Sequence, residues 1–345
     1  MPNKNDIINA VKNSKIFLKI PSLQGADVKR KLNDQPLFFT GGFNMVFKLT
    51  KNDETWALRV WHTGFKQQKD RFRAISNYLE LQNLPYFADF IYDEKGLLVA
   101  GEFIDTIRMK WFDYDSLKDY IEKNLRDKRR LQNLANAFLI MCEDLHKHRI
   151  SHGDLQHGNI LVDNYGNIKL IDYDSVCVPN IAGENELVTG LRGYQHPSRL
   201  NSINKASLKA DYFSELIIYL SLCGFAENPE LWHKFNVKDT EVLLFSEEDF
   251  KNFQYSDVYA ELYSIKSCRI HDLLSVCIDY LSKSSYLDLE HFQTINDLPN
   301  PPRPMRTTTN PPKQLQTLSA YCNKCGKPYH NFALSKFCSY CGKAR

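Results

Sequence analysis

The sequence contains no apolar stretch long enough to cross a lipid bilayer. A membrane-spanning helix needs about 20 consecutive apolar residues, whereas the most apolar stretch, residues 216–225, is shorter and contains Ser221. Residues 1–17 are rich in Asn and Lys and lack the apolar core of a secretion signal. We therefore expect a cytoplasmic protein without a membrane partner.

The sequence also has little excess charge of either sign. Lys and Arg total 44, Asp and Glu total 41, and the formal net charge is +3. This balance gives no strong signal for binding nucleic acid or anionic lipid. With 43% hydrophobic and 25% charged residues, the composition excludes a mainly disordered or collagen-like chain. A length of 345 residues suits one large bilobal domain, or two domains, with an appended module.

Most of the chain lacks cysteines at paired spacing. Five of the nine cysteines are scattered irregularly, and we expect them to be reduced, buried thiols: Cys142, Cys177, Cys223, Cys268 and Cys277. The other four form two Cys-x-x-Cys-Gly-Lys motifs near the C-terminus: Cys322, Cys325, Cys338 and Cys341. Four thiolates at this spacing can close a tetrahedral Zn²⁺ site, with two disulfides as the alternative.

The composition changes sharply between the body of the chain and these cysteines. Residues 296–318 include six prolines and three consecutive threonines, which predicts an extended linker. The segment that follows, 319–345, is too short to fold by apolar burial alone and calls for a metal or disulfides. It resembles a zinc ribbon, which implies a structural Zn²⁺ and a partner surface of unspecified kind.

The body of the chain has two regions of different periodicity. The first region contains three strand-like runs, at 36–49, 55–61 and 96–108, and one helical pattern, at 67–82. Helical patterns dominate after residue 111, at 117–125, 131–147, 211–222 and 270–282. Two short strands, 160–163 and 168–171, form a hairpin among these helices. We predict an α+β fold over 35–295, with a small sheet-rich lobe to about residue 110, a larger helical lobe from about residue 111, and an N-terminal extension over 1–34.

Two acids and an amide flank this hairpin. Residues 152–159 read His-Gly-Asp-Leu-Gln-His-Gly-Asn, so Asp154 and Asn159 share one loop, and Asp172 follows the hairpin. A carboxylate and an amide at this spacing can orient a nucleophile and hold a metal, and a second carboxylate can bridge that metal to phosphates. The residues therefore point to phosphoryl transfer.

This arrangement resembles the protein kinase superfamily, whose catalytic loop reads His-Arg-Asp-x-x-x-x-Asn and whose metal loop reads Asp-Phe-Gly. The resemblance covers roughly residues 35–285 and implies a bilobal fold that uses ATP and Mg²⁺. It implies that Asp154 accepts the substrate hydroxyl proton and that Asn159 and Asp172 bind Mg²⁺. It also implies that Leu161 lies beneath the adenine.

The same resemblance extends to the first lobe. Residues 39–46, which include Gly41 and Gly42, look like a worn glycine-rich phosphate loop with Val46 above the adenine. Gly41 aligns with one of the family's three glycines, whereas Phe39 and Asn44 replace the other two. Trp56-Ala57-Leu58-Arg59 falls where the family has Val-Ala-Ile-Lys, so Arg59 replaces the phosphate-binding lysine. The resemblance places the adenine-binding hinge at Met109, Lys110 and Trp111.

Several positions depart from the family pattern. Ala74, Ile75 and Ser76 stand where the helix acid that pairs with the lysine is expected, and the nearby Glu80 belongs to a solvated helix face. Gly153 replaces an arginine that often reads a phosphorylated activation loop. Gln156 replaces a lysine near the catalytic aspartate.

These features leave three functions open. Pro197 resembles the end of an activation segment, and Asp211 resembles the start of the Asp-x-Trp-Ser helix, although an Asp there is equally typical of an N-cap. Both favour a divergent, bacterial-type Ser/Thr protein kinase with a protein substrate or partner. The departures favour a nucleotide-binding pseudokinase that acts as a scaffold or regulator. The His-Gly-Asp sequence favours a small-molecule kinase similar to aminoglycoside and choline kinases.

Overall fold

Alternating apolar residues build the first lobe. The computed structural model describes residues 3–40, 44–62, 69–200, 204–295 and 298–305. Its first elements are α1 (Lys4–Lys12), α2 (Ser14–Phe17), β1 (Asp27–Val28), β2 (Phe38–Thr40), β3 (Asn44–Lys51), β4 (Glu54–Trp61), α3 (Lys69–Gln82), β5 (Phe90–Val99) and β6 (Glu102–Lys110). Several predicted features lie outside the described residues: Gly41, Gly42, most of the 296–318 linker, and the 319–345 ribbon with Cys322, Cys325, Cys338 and Cys341.

The first lobe is an antiparallel sheet with two different faces. Its strand order is β1-β3-β4-β6-β5, and β2 pairs with β3. Because side chains alternate along a strand, Phe47 and Leu58 pack on one face of the sheet, together with Val11 of α1. Helix α1 belongs to the 1–34 segment that the sequence predicts as an N-terminal extension. Val46 and Arg59, which are paired across β3 and β4, belong to the other face. That face carries the candidate site.

The strand predicted over 96–108 is wrong in one respect. The structure has two strands there, β5 and β6, joined by a tight turn at Ala100 and Gly101. Both turn residues have positive φ, 48° and 86°, which is the backbone conformation of a two-residue hairpin. The apolar alternation continues on both sides of this turn, so periodicity alone did not reveal it.

The second lobe contains the predicted helices and hairpin. Its elements are β7 (Asp115–Ser116), α4 (Leu117–Asn124), α5 (Lys128–Lys147), β8 (Ile160–Val162), β9 (Ile168–Leu170), α6 (Tyr212–Glu227), α7 (Leu231–Lys234), α8 (Glu247–Lys251), α9 (Asp257–Ser264) and α10 (Cys268–Ser282). Side chains of Ser116, Asp127 and Ser267 cap α4, α5 and α10 by accepting backbone N–H bonds. These caps fix where the helices begin.

Helix α6 is apolar on nearly every side and lies at the centre of this lobe, packed against α5 and α10. In the described part of the chain, no helix is both long and apolar enough to span a bilayer. The five scattered cysteines are free, as predicted. They are not all buried, however, because Cys268 at the start of α10 is exposed and Cys223 is partly exposed.

Candidate active site

A cavity of about 620 Å³ lies against the functional face of β3 and β4. It is lined by most of the side chains predicted to bind nucleotide, together with one predicted metal ligand: Val46, Ala57, Arg59, Met109, Lys110, Trp111, Leu161 and Asp172. Asn44, Asp174 and Val188 also line it, although the sequence analysis does not assign them to the site. The fold therefore brings residues from both lobes to one cavity.

The segment predicted as the hinge is held by the sheet. Met109 lies in β6, where it pairs with Ala57 of β4 and Phe90 of β5. The Trp111 backbone N–H donates to the carbonyl of Thr55 at 2.9 Å. Any backbone pairing with adenine must therefore use other groups of this segment.

Asp154 and Asn159, which share one loop, are in direct contact. The Asn159 amide Nδ2 donates to the Asp154 carbonyl at 2.8 Å and to its carboxylate Oδ2 at 3.2 Å. The other carboxylate oxygen, Oδ1, accepts from the Leu191 backbone N–H at 3.1 Å. Burial raises the pKa of Asp154, and the neighbouring Asp172 charge adds to this effect. This is the direction that makes a carboxylate a better proton acceptor at neutral pH.

Asp211 anchors the backbone just before Asp154. Its carboxylate accepts N–H bonds from His152 and, at 2.8 Å, from Gly153. Asp211 precedes α6, but its side chain does not cap the helix, so the N-cap interpretation is wrong. Burial and the nearby Glu215 raise the pKa of Asp211 to about 6. The His152 ring also donates to the Ile171 carbonyl at 3.0 Å, which ties this loop to the turn that contains Asp172.

Asp172 lies in a strained turn that directs two acids to the cavity. Its φ of 64° and ψ of 76° are left-handed, an uncommon conformation for a residue other than glycine. The next residue, Tyr173, is fully buried and hydrogen-bonds through its hydroxyl to the Leu170 carbonyl and the Ala88 N–H, each at 2.7 Å. Tyr173 thus points into the core while Asp172 and Asp174, on either side, face the cavity.

Arg59 connects these acids to the sheet. Its Nη2 donates to Asp174 Oδ2 at 2.6 Å and to Asp172 Oδ1 at 3.1 Å. The Arg59 side chain is 7% exposed, so it is buried against these acids and does not extend into solvent. Burial raises the pKa of Asp174 to about 6, although Arg59 acts in the opposite direction.

Comparison with known proteins shows which family has this fold and this arrangement of residues. Residues 40–287, most of the chain, match the model of the protein kinase domain. The chain belongs to the protein kinase family. It is 28% identical over 162 residues to a ribosomal protein S6 kinase beta from Caenorhabditis elegans, covering 43% of this chain and 28% of that protein. It is 30% identical over 121 residues to the dual specificity protein kinase zak2 from Dictyostelium discoideum, covering 31% of this chain and 18% of that protein. The matches thus cover less than a third of either curated relative.

The kinase helix that normally supplies an acid, α3, supplies a cation here. Glu80 is exposed, which confirms the predicted solvated position. Ser76 is buried and donates to the Phe90 carbonyl at 2.7 Å. Arg71, which is 6% exposed, contacts the activation segment, which runs from Asp172 to Arg199. It bonds there to the Val176 carbonyl at 3.4 Å and to Glu184 at 3.4 Å. The contact between α3 and the activation segment therefore has a positive charge on the helix.

The activation segment passes directly over Asp154. Gly190 has a φ of 86°, and a Cβ built there would lie 2.8 Å from Asp154 Oδ1. Val188, two residues earlier, lines the cavity, and its carbonyl accepts from the Ser175 hydroxyl at 3.3 Å. Both oxygens of the Asp154 carboxylate are thus occupied by protein donors in this conformation.

The structure requires a glycine at position 153, because Gly153 has a φ of 76° and a Cβ there would lie 2.2 Å from the Ser175 carbonyl oxygen. Restoring the usual family residue with Gly153→Arg is therefore expected to lower the free energy of unfolding by about 2 kcal/mol or more. Urea denaturation measures this change. Gly183→Arg is the matched control, because Gly183 has a φ of 89° but nothing within 4 Å of its Cβ position. Equal losses in the two variants would contradict the predicted overlap with Ser175.

Proposed function

We propose that this protein is an ATP- and Mg²⁺-dependent kinase that phosphorylates serine or threonine in proteins. The observation that carries the proposal is the hydrogen-bonded pair of Asp154 and Asn159 beside a cavity lined by Asp172. In this proposal Asp154 accepts the proton of the attacking hydroxyl. Its raised pKa and its fixed position both favour that role.

The residues present fit Mg²⁺. Asp172 faces the cavity with its side chain 49% exposed, so its carboxylate is accessible to a cation. Asn159 uses Nδ2 to bond Asp154, which leaves its amide oxygen as the group for a cation. Carboxylate and amide oxygens are suitable ligands for a hard divalent ion. When bound, Mg²⁺ would neutralise charge on the phosphates.

The cavity also fits a nucleotide. Val46 and Ala57 from the sheet and Leu161 from β8 provide apolar surfaces for a flat base. Arg59 brings a permanent positive charge to the same cavity, as a phosphate requires. We include Gly41 and Gly42 in the proposed phosphate-binding loop on the basis of the sequence alone.

Two features support a protein acceptor. Asp211 holds the catalytic loop from the start of α6, and the segment between Asp172 and Arg199 is fixed to the same region by buried contacts. The names of both relatives describe protein kinases. The presence of glycine at position 153, which favours a small-molecule kinase by sequence, has a separate steric cause.

The second candidate is a pseudokinase. The observation in its favour is that protein donors occupy both oxygens of Asp154, while Arg59 bonds to Asp172. A scaffold would keep these contacts permanently. A kinase must release Leu191 from Asp154 when the substrate hydroxyl enters.

Intact mass spectrometry of the full chain, incubated with ATP and Mg²⁺, tests the proposed chemistry. We expect a phosphoryl increment on the protein itself or on an added Ser/Thr protein acceptor. The increment should vanish with EDTA and in Asp172→Asn. An adenylyl increment would instead show nucleotide transfer. If no protein gains mass, consumption of ATP with small-molecule acceptors separates the small-molecule kinase from the pseudokinase.

We also propose a structural Zn²⁺ in the 319–345 segment, bound by Cys322, Cys325, Cys338 and Cys341. The support is the two Cys-x-x-Cys-Gly-Lys motifs. Metal analysis of the purified chain should find one zinc per chain, and Cys-to-Ser variants should lose it.

A further inference from the structure

The guanidinium of Arg59 is held along one edge. With its amide oxygen turned toward the guanidinium, Asn44 accepts from Nε at 2.9 Å and from Nη2 at 2.7 Å. Nη2 also donates to the carboxylates of Asp174 and Asp172. Among the described residues, no hydrogen bond is made by Nη1, and Arg59 lines the cavity. Nη1 is therefore the edge that remains for a nucleotide phosphate.

The two carboxylates do not share the guanidinium equally. Asp174 accepts at 2.6 Å and its side chain is 17% exposed, whereas Asp172 accepts at 3.1 Å and is 49% exposed. A shorter bond at the more buried partner is the stronger one, because less water screens it. The other Asp174 oxygen, Oδ1, is buried and has no hydrogen-bond partner within the described residues, which is unusual for a purely structural acid.

No acid of α3 competes for this role in the structure. Glu80 is exposed, and Arg71 gives the helix a cation where it meets the activation segment. The negative charge opposite Arg59 therefore comes from the turn that contains Asp172 and Asp174, not from the helix.

We propose that Asp174 is a positioning residue: it holds Arg59 in place of a helix acid, and thereby keeps the Asp172 carboxylate available to Mg²⁺. The inference rests on the proposed function, since it assigns Asp172 to the metal and the cavity to a nucleotide. Asn44 assists by fixing the same edge of the guanidinium.

Removing the Asp174 charge should have a specific consequence. Among the described residues, Asp172 would then be the only carboxylate bonded to Arg59 Nη2, and the guanidinium would compete with Mg²⁺ for that group. Nucleotide binding should consequently need more Mg²⁺. A charge-assisted hydrogen bond corresponds to about a factor of ten or more in an equilibrium constant, so we expect a shift of about tenfold or more in the Mg²⁺ concentration for half-maximal binding.

The test measures binding of a non-hydrolysable ATP analogue to the full chain by calorimetry across a series of Mg²⁺ concentrations. Asp174→Asn should show the shift, and Asp174→Glu, which keeps the charge, should show much less. Glu80→Gln is the matched control on α3 and should leave the Mg²⁺ dependence unchanged. In an Arg59→Gln background, adding Asp174→Asn should cause no further shift, because the competing cation is gone.

Melting temperatures of all variants show whether a shift reflects unfolding. If Asp174→Asn binds nucleotide with the wild-type Mg²⁺ dependence, or if Glu80→Gln shifts it equally, the positioning role is wrong and the proposed function stands. An equal shift in Asp174→Asn and Asp174→Glu also overturns the role of the charge. A wild-type chain that binds no nucleotide at any Mg²⁺ concentration would overturn the proposed function, and this inference with it.

Discussion

Asp154→Asn is expected to slow phosphoryl transfer by about 10²–10⁴-fold, the usual contribution of a positioned general base. The KM for ATP should change little, since Asp154 is not among the residues that line the cavity proposed to bind nucleotide. Asparagine has nearly the same shape and can still accept from the Leu191 N–H, so the loop should keep its fold. Steady-state kinetics with a protein acceptor provide the measurement.

The matched control for this variant is Asp163→Asn. Asp163 lies in the turn between β8 and β9, where its carboxylate accepts N–H bonds from Tyr165 and Asn167 away from the cavity. We expect this variant to retain the wild-type rate. A loss smaller than about tenfold in Asp154→Asn would contradict a general-base role.

Arg199→Met is expected to lower the free energy of unfolding by about 3–5 kcal/mol, the cost of leaving a buried charge without its partner. The Arg199 side chain is 1% exposed and that of Glu186 is 8% exposed, and their charged groups lie 2.7 Å apart. Arg199 also bonds to Gln195 and to the Ala210 carbonyl, so it joins the end of the activation segment to the start of α6. Chemical denaturation measures the loss.

A double variant separates charge from packing. Adding Glu186→Leu to Arg199→Met should recover most of the lost stability, because replacing both members of a buried ion pair by apolar groups is often nearly neutral. Lys128→Met provides a surface control, since Lys128 and Glu227 form an exposed pair expected to contribute about 1 kcal/mol or less. Purely additive losses in the double variant would contradict the proposed pairing.

The partner of Arg199 could not be predicted from the sequence. In the sequence, Pro197 resembles the end of the family's activation segment. In the structure, Arg199 lies in the same short 3-10 helix as Pro197 and pairs with Glu186, thirteen residues earlier in the same segment. No periodicity or spacing rule predicts that pairing, because it depends on the path of the segment between the two residues.

The histidines illustrate the same limit. The histidines have no metal-ligand spacing in the sequence, which favours hydrogen-bonded structural residues over ligands but does not predict their partners. The structure brings His146 and His291 together at the two oxygens of the buried Glu215, at 2.8 Å and 3.5 Å. This carboxylate charge raises the pKa of His146 against the effect of burial. The cluster joins α5, α6 and the segment after α10, which are far apart in sequence.

The sequence by itself determined the two lobes, the main helices, the hairpin and the catalytic loop, because apolar periodicity and short-range spacing are local properties. Asp154, Asn159 and Asp172 could be proposed as site residues for the same reason: two share one loop and the third follows a short hairpin. Only the tertiary structure decided that Asp174 is the acid opposite Arg59. It also decided that Asp211 holds the catalytic loop. A carboxylate can bond whichever donor the fold brings within about 3 Å, and that choice depends on chain segments that no local pattern connects.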